Sequence, residues 1–167
     1  MRDGDHWVLN GTKTFCTNGR VGDVVVILAR TSPDRGSRGI TAFVVEKGTP
    51  GLSFGAQEKK MGWKSQPTSA VIFDNCRVPV ANRIGEEGDG MGYTHSWFRR
   101  ERLMIAARDC GASARLIEEA LAFARSRKVS GEKLIDKQMV QSMLADSVTE
   151  LWASRLMTFE AAEAHDR

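Results

Sequence analysis

All 4 prolines and 13 of the 16 glycines of this 167-residue chain fall within residues 1–90. Residues 91–167 hold no proline and three glycines, Gly92, Gly111 and Gly131, while alanine rises from 5 before the boundary to 12 after it. Glycine and proline interrupt regular structure and alanine extends helices. The sequence therefore predicts a turn-rich first half followed by long helices.

The first half reads as short strands. Trp7–Lys13 is strand-like and contains Asn10-Gly11, a dipeptide that predicts a hairpin turn between β-prone runs. Val24–Ala29 is an unbroken apolar run of strand length, which predicts a buried strand. Ile40–Val45, Leu52–Phe54 and Ser69–Asp74 follow, separated by Thr31–Gly39 and Thr49-Pro50-Gly51, and Pro79 suits a strand end. Five or six strands with frequent turns imply a small barrel or sandwich. Ile84–Gly92 is glycine-rich, but it has neither GxGxxG spacing nor a following Lys-Ser/Thr, so it reads as a joint rather than a phosphate loop.

Tyr93–Lys128 has no breaker except Gly111 and predicts a helix of about ten turns. Trp97, Ile105, Ala112, Leu116 and Phe123 mark its apolar face. Gly131 ends this helix or opens the connection, and a second helix is expected from about Lys133, with Ala145, Val148, Trp152, Leu156 and Phe159 as its stripe. A short link makes the pair antiparallel neighbours. Two helices packed on each other leave wide apolar faces uncovered, so the chain reads as an excerpt of a larger up-down bundle. The fold class is α+β and multi-domain: a small antiparallel β-barrel or sandwich, then long helices of an incomplete bundle.

Several functions are excluded by composition. No apolar run reaches the 18–20 residues or so that cross a bilayer. Met1-Arg2-Asp3-Gly4-Asp5 leads into a strand rather than the apolar core of a signal peptide. Cys16, Cys76 and Cys110 with His6, His95 and His165 lack zinc-type spacing, so no metal site is expected. Basic and acidic residues balance at 12 to 10 in residues 1–90 and 12 to 11 beyond, which gives no footprint for nucleic acid.

Three features could carry chemistry. On a helix Glu101 has Trp97, Phe98, Met104 and Ile105 as its same-face neighbours, all apolar. Burial there would raise the pKa of a carboxylate and poise it for proton abstraction beside a carbonyl. The competing reading is an ion pair with an arginine of a neighbouring helix. Arg102, next to it, reads alone as a solvated surface residue. In Thr14–Gly19 an aromatic beside a small hydroxyl could cover a flat heteroaromatic ring and bond its edge, or the segment could simply be a turn. Arg127-Lys128 with Gln138 offers a guanidinium for a pyrophosphate and an amide for an adenine edge; exposed helix-end residues are the alternative.

These features occur in order in a known family. Asn10-Gly11-Thr12-Lys13 with Phe15–Gly19 resembles NGxKxWITNG. Lys60-Met61-Gly62 with Thr68, Val71, Phe73, Val78 and Pro79 resembles MGxxxxxT followed by V.F..V.VP. Ile84–Gly90 resembles IGxxGxG, Glu101-Arg102 with Ala106-Ala107 resembles ERxxxA, and Ala124, Arg127, Gly131 and Gln138 resemble A..R..FG……Q. The chain thus resembles the acyl-CoA dehydrogenases over nearly all its length. Phe15 stands where the family usually has Trp, Cys16 where it has Ile, and Ser130 where it has Phe.

The resemblance implies a central β-domain over 1–83, a linker over 84–92 and part of a C-terminal helical bundle over 93–167. It implies FAD as cofactor, with Phe15, Cys16 and Thr17 at the reactive edge of the flavin. Arg127 and Gln138 would hold the pyrophosphate and adenosine part of a FAD carried mainly by a partner subunit. Arg102 would lie near an acyl-CoA substrate. Most members take the catalytic base from a Glu near the C-terminus, but a minority, the long-chain and isovaleryl types, place it in the Glu-Arg pair that Glu101 occupies. The implied reaction is α,β-dehydrogenation of an acyl-CoA to a 2-enoyl-CoA, as in β-oxidation, with electrons passing to an electron-transfer flavoprotein. Family members are homodimers or homotetramers. An acyl-CoA oxidase, a nitroalkane-oxidase-like enzyme or a non-catalytic fragment are the alternatives. The compartment would be cytoplasmic in a bacterium or the mitochondrial matrix in a eukaryote.

Overall fold

The computed structural model describes all residues from Met1 to Arg167. The chain divides into two compact units, Met1–His95 and Ser96–Arg167.

The first unit is an open sandwich of two antiparallel sheets. One sheet has the order β1-β2-β6-β5, formed by β1 (Arg2–Asp3), β2 (His6–Thr17), β5 (Leu52–Gln57) and β6 (Thr68–Pro79). The other has the order β3-β4-β7, formed by β3 (Val24–Arg30), β4 (Ile40–Glu46) and β7 (Arg83–Ile84). The two sheets remain separate, so the expected barrel or sandwich resolves to a sandwich. Period-two alternation puts Trp7, Leu9, Val71, Phe73, Cys76 and Val78 of the first sheet against Ile27, Phe43 and Val45 of the second. Phe43 is completely buried and meets the Trp7 ring edge-on at 5.5 Å between centroids.

Asn10-Gly11 is not a hairpin turn. β2 runs straight through it and pairs with β6 on both sides, from His6↔Pro79 to Thr17↔Thr68. The irregularity is a β-bulge. Between Leu9↔Cys76 and Gly11↔Phe73 the β6 strand carries one extra residue, and Asn75 there has φ 48°. The Asn10 side chain accepts from the Asn75 backbone N–H at 2.7 Å and so binds the bulge instead of closing a turn. The bulge also shifts the alternation phase of β6, so Val71 and Phe73 before it and Cys76 and Val78 after it all face the core.

β3 is only half buried. It pairs with β4 alone at a sheet edge, and alternation puts Val24 and Val26 on an exposed face while Ile27 enters the core. The apolar run therefore reflects one covered face and one open face.

The second unit holds most of α1 (Gly90–Ser126) and all of α2 (Gln138–Asp166). The helices are antiparallel neighbours: Cys110 Sγ lies 3.8 Å from Thr158 Oγ1, and Ser113 and Ile117 share a cleft with Leu151 and Ser147. Between them the chain forms a small hairpin, β8 (Lys128–Val129) against β9 (Glu132–Lys133). Ser130 and Gly131 at its tip have φ of 54° and 85°, the signature of a two-residue type I′ turn. Gly131 thus serves the hairpin rather than the end of α1, and α2 starts at Gln138 rather than near Lys133 because a 3-10 turn, Leu134–Asp136, intervenes. The stripe residues Trp97, Leu116, Phe123, Trp152, Leu156 and Phe159 are all more exposed than buried.

Candidate functional site

A second bulge in the β2–β6 pair shapes the segment around Phe15. Lys13 faces Val71 and Cys16 faces Ser69, so here the extra residue lies in β2. Phe15 occupies it with φ 56°. A left-handed conformation is unfavourable for an aromatic L-residue, by about 1–2 kcal/mol, and such strain clusters at functional positions. Its effect is to turn the ring out of the sheet, leaving Phe15 72% exposed. Thr17, two residues on, is exposed and its hydroxyl makes no hydrogen bond with the protein. Cys16 and Thr17 line an open cleft of about 630 Å³ with Val25–Leu28 and Val71. Gly19 is buried beneath, and a side chain there would press on Val71 Cγ2.

The segment is held from behind by a loop that the sequence did not single out as structural. Asn18 N–H donates to Pro67 O at 2.8 Å. Lys60 Nζ, part-buried, donates to Gln66 O at 2.5 Å and Thr68 Oγ1 at 3.0 Å. A lysine is by default a surface residue, so only its place beside Met61-Gly62 in the motif hinted at this role.

Glu101 lies on α1, half-buried, and takes part in no ion pair. The neighbouring helix α2 supplies no arginine to it, so the competing ion-pair reading finds no partner within the chain. Its four apolar neighbours Trp97, Phe98, Met104 and Ile105 are themselves between 41% and 66% exposed. The surroundings are apolar in composition but open. Arg102 is exposed, with its guanidinium 5.7 Å from the Phe98 ring centre. It lines a cleft of about 620 Å³ with Leu103 and Ala106 of α1 and Met157, Ala161 and His165 of α2. This cation–π contact keeps the guanidinium on the helix surface with its donors free.

Arg127 and Gln138 flank the β8–β9 hairpin. Arg127 O accepts from Leu134 N–H at 2.9 Å, which closes the hairpin base, while its guanidinium is exposed and unpaired. Gln138 is the first residue of α2, whose start has no side-chain cap and no acidic residue in its first turn. An uncapped helix start favours an anion, although Lys137 beside it is already paired with Glu132 at 3.2 Å. The side-chain chemistry therefore fits FAD: an aromatic wall and free hydroxyl at one place, and a guanidinium, an amide and an uncapped helix start at another.

The glycine joint uses its own amides. Glu86 N–H donates to Asp89 Oδ2 and Gly88 N–H to Thr41 Oγ1, both at 3.0 Å. These amides are committed within the fold, as a joint requires and a phosphate loop does not.

Comparison with known proteins places these elements in a lineage. Residues 1–76 match the family described as acyl-CoA dehydrogenase, middle domain, and residues 88–167 match acyl-CoA dehydrogenase, C-terminal domain. The chain is 48% identical over 164 residues to mitochondrial isobutyryl-CoA dehydrogenase of Bos taurus, covering 98% of the chain and 39% of that protein. It is 43% identical over 166 residues to cyclohex-1-ene-1-carbonyl-CoA dehydrogenase of Geobacter metallireducens, covering 99% and 44%. The crystal structure of acyl-CoA dehydrogenase from Geobacillus kaustophilus superposes with a TM-score of 0.93 at 34% identity, covering 98% of this chain and 44% of that one. The chain spans about two-fifths of the length of the curated relatives it matches. With both family descriptions matched in sequence order, the chain belongs to the acyl-CoA dehydrogenase family.

Proposed function

We propose that this chain is the part of a FAD-dependent acyl-CoA dehydrogenase that carries the flavin-edge segment and the catalytic base. Residues 1–83 serve as the central β-domain, 84–92 as the joint and 93–167 as the first helices of the C-terminal bundle. The observation that carries the reading is Phe15, held left-handed in a bulge with its ring exposed, two residues before Thr17 on the same strand. FAD, when bound, supplies the acceptor for the hydride that leaves the substrate β-carbon.

The residues of the chain do the rest. Phe15 and Cys16 wall the flavin, and the Thr17 hydroxyl donates to its N5 edge. Glu101 takes the α-proton of an acyl-CoA thioester at its carboxylate. The α-proton and β-hydride leave together, and a 2-enoyl-CoA results. The Glu101 carboxylate takes part in no ion pair within the chain, so its oxygens are free to accept a proton. Arg102 binds the acyl-CoA through its free guanidinium donors. Arg127 and Gln138 hold the pyrophosphate and adenosine part of a FAD shared across a homodimer or homotetramer. Electrons leave to an electron-transfer flavoprotein. No helix of the chain is long and apolar enough to cross a membrane, and the compartment is the cytoplasm in a bacterium or the mitochondrial matrix in a eukaryote.

The test is anaerobic mixing of the full-length FAD-loaded protein with isobutyryl-CoA, butyryl-CoA and cyclohex-1-ene-1-carbonyl-CoA. Bleaching of the flavin band by at least one of them, with formation of its unsaturated product, supports the reading. No bleaching by any acyl-CoA contradicts it. Rapid reoxidation by oxygen with hydrogen peroxide release would assign the protein to the oxidases instead.

A further inference from the structure

We propose that Lys60 sets the reduction potential of the flavin, as a fixed positive charge behind the segment that faces it; this rests on the reading that FAD lies against Phe15 and Thr17. Lys60 differs from the other cations of its loop. Lys59 and Lys64 are exposed, whereas Lys60 is half-buried. Its ammonium takes part in no ion pair, so no carboxylate is matched to its charge. Taking a cation partly out of water without a counter-ion costs free energy. Fastening a loop does not need a charge, since a neutral donor bonds a carbonyl and a hydroxyl as well. The unmatched charge calls for a reason.

Its place supplies one. The ammonium donates to Gln66 O at 2.5 Å and to Thr68 Oγ1 at 3.0 Å. Thr68 is buried and stands directly across the β2–β6 pair from Thr17. Residues so paired have Cα atoms about 4.5–5.5 Å apart and side chains on the same face. The loop that carries the charge is tied down on each side. Glu58 N–H donates to Thr68 O and Asn18 N–H to Pro67 O, both at 2.8 Å, and Gln66 N–H donates to Trp63 O at 3.0 Å. Every one of these groups belongs to the β unit. The cation is therefore held one buried side chain away from Thr17.

Accepting a hydride gives a neutral flavin ring one negative charge. A cation already in place favours that charge with no reorganisation when it arrives. Partial burial leaves it less screened than a surface lysine. Charge near the reactive ring is one of the means by which a protein tunes a bound cofactor. Because the oxidised ring is neutral, the charge acts on the potential more than on the binding of FAD. Lys60 thus makes the bound flavin a better hydride acceptor without touching it.

The experiment measures the flavin reduction potential in the full-length FAD-loaded protein by equilibration against a redox dye, with no acyl-CoA present. Lys60→Met, Lys60→Arg, Thr68→Val and Thr17→Ala are compared with wild type, and FAD content and the visible flavin spectrum are recorded for each. Lys60→Met is expected to keep its FAD and to hold three- to tenfold less reduced flavin at a given dye potential, the upper figure being about 30 mV for a two-electron couple. Lys60→Arg keeps the charge and stays within about twofold of wild type. Thr68→Val loosens the same loop but leaves the ammonium on Gln66 O, and it too stays within about twofold. Thr17→Ala alters the flavin spectrum.

An unchanged potential in Lys60→Met, with an altered spectrum in Thr17→Ala, removes Lys60 from the role and leaves the flavin where it was placed. An unchanged spectrum in Thr17→Ala removes the flavin-edge reading, and the role of Lys60 falls with it. Loss of FAD from Lys60→Met, or a fall in potential as large in Thr68→Val or Lys60→Arg, overturns the proposal in favour of a lysine that only fastens its loop.

Discussion

Lys60→Met tests how the flavin-edge segment is supported. Lys60 Nζ donates to Gln66 O at 2.5 Å and to Thr68 Oγ1 at 3.0 Å. These bonds close the loop whose Pro67 carbonyl receives Asn18 N–H. A hydrogen bond to a charged group contributes about 1.5–3 kcal/mol. Removing the ammonium also removes the penalty for its partial burial, and water reaches the half-exposed Gln66 carbonyl, so the two bonds together should be worth about 2 kcal/mol. Methionine keeps the aliphatic stem and its packing. The assay is native-state hydrogen exchange. Amides of β6 report unfolding of the β unit, and protection there should fall about 30-fold for 2 kcal/mol. The Asn18 amide should exchange faster still, because its acceptor loop detaches first. A double-mutant cycle with Thr68→Val should give a coupling of about 1 kcal/mol. A loss of protection below threefold, an unchanged Asn18 amide or an additive cycle would refute the reasoning.

Three further perturbations follow from the same geometry. Phe43→Ala should destabilise the β unit by about 3–5 kcal/mol, since a fully buried ring and its edge contact with Trp7 are lost; urea unfolding checks it, and a loss below about 1 kcal/mol contradicts the packing described. Gly85→Ala should destabilise the joint, because Gly85 has φ 65° and an added methyl meets the Tyr93 hydroxyl; adding Tyr93→Phe should recover part of the loss in thermal melts, and a Gly85→Ala chain as stable as wild type contradicts it. Burial raises the Cys76 thiol above its ordinary 9.0. Below pH 9.0 the thiol is neutral in both folded and unfolded chains; above it the unfolded chain ionises first, so folding stability falls with rising pH until the folded thiol ionises too. Cys76→Ala should flatten that alkaline slope in denaturation series, and an unchanged slope would assign it to other groups.

The division of the chain was legible in the sequence because its cause is local. Glycine and proline break regular structure wherever they fall, and their concentration in residues 1–90 leaves mostly helix beyond, interrupted by the short hairpin at Gly131. The motif residues around Phe15, Glu101 and Arg127 were legible as well, though periodicity did not show their surroundings. The bulges at Asn75 and Phe15 were hidden because each depends on the register of two strands far apart in sequence. Asn10-Gly11 carries the same local signal whether it turns a hairpin or faces a bulge, and only the pairing with β6 decides. The half-exposure of Val24–Ala29 follows from only one face of β3 being covered, which an apolar run alone does not specify. The role of Lys60 depends on the loop that folds against it, and only its place beside Met61-Gly62 hinted at it.

The central claim is that Glu101 takes the α-proton of an acyl-CoA in a protein whose flavin lies against Phe15 and Thr17. Its most direct test is rapid anaerobic mixing of an acyl-CoA that bleaches the wild type with the full-length Glu101→Gln protein after its FAD content is shown to equal that of wild type. The predicted result is bound substrate with no bleaching of the flavin band, at least 10³-fold slower than wild type for loss of the base, or about 4 kcal/mol in the barrier. Bleaching at the wild-type rate would contradict the assignment and move the base outside this chain.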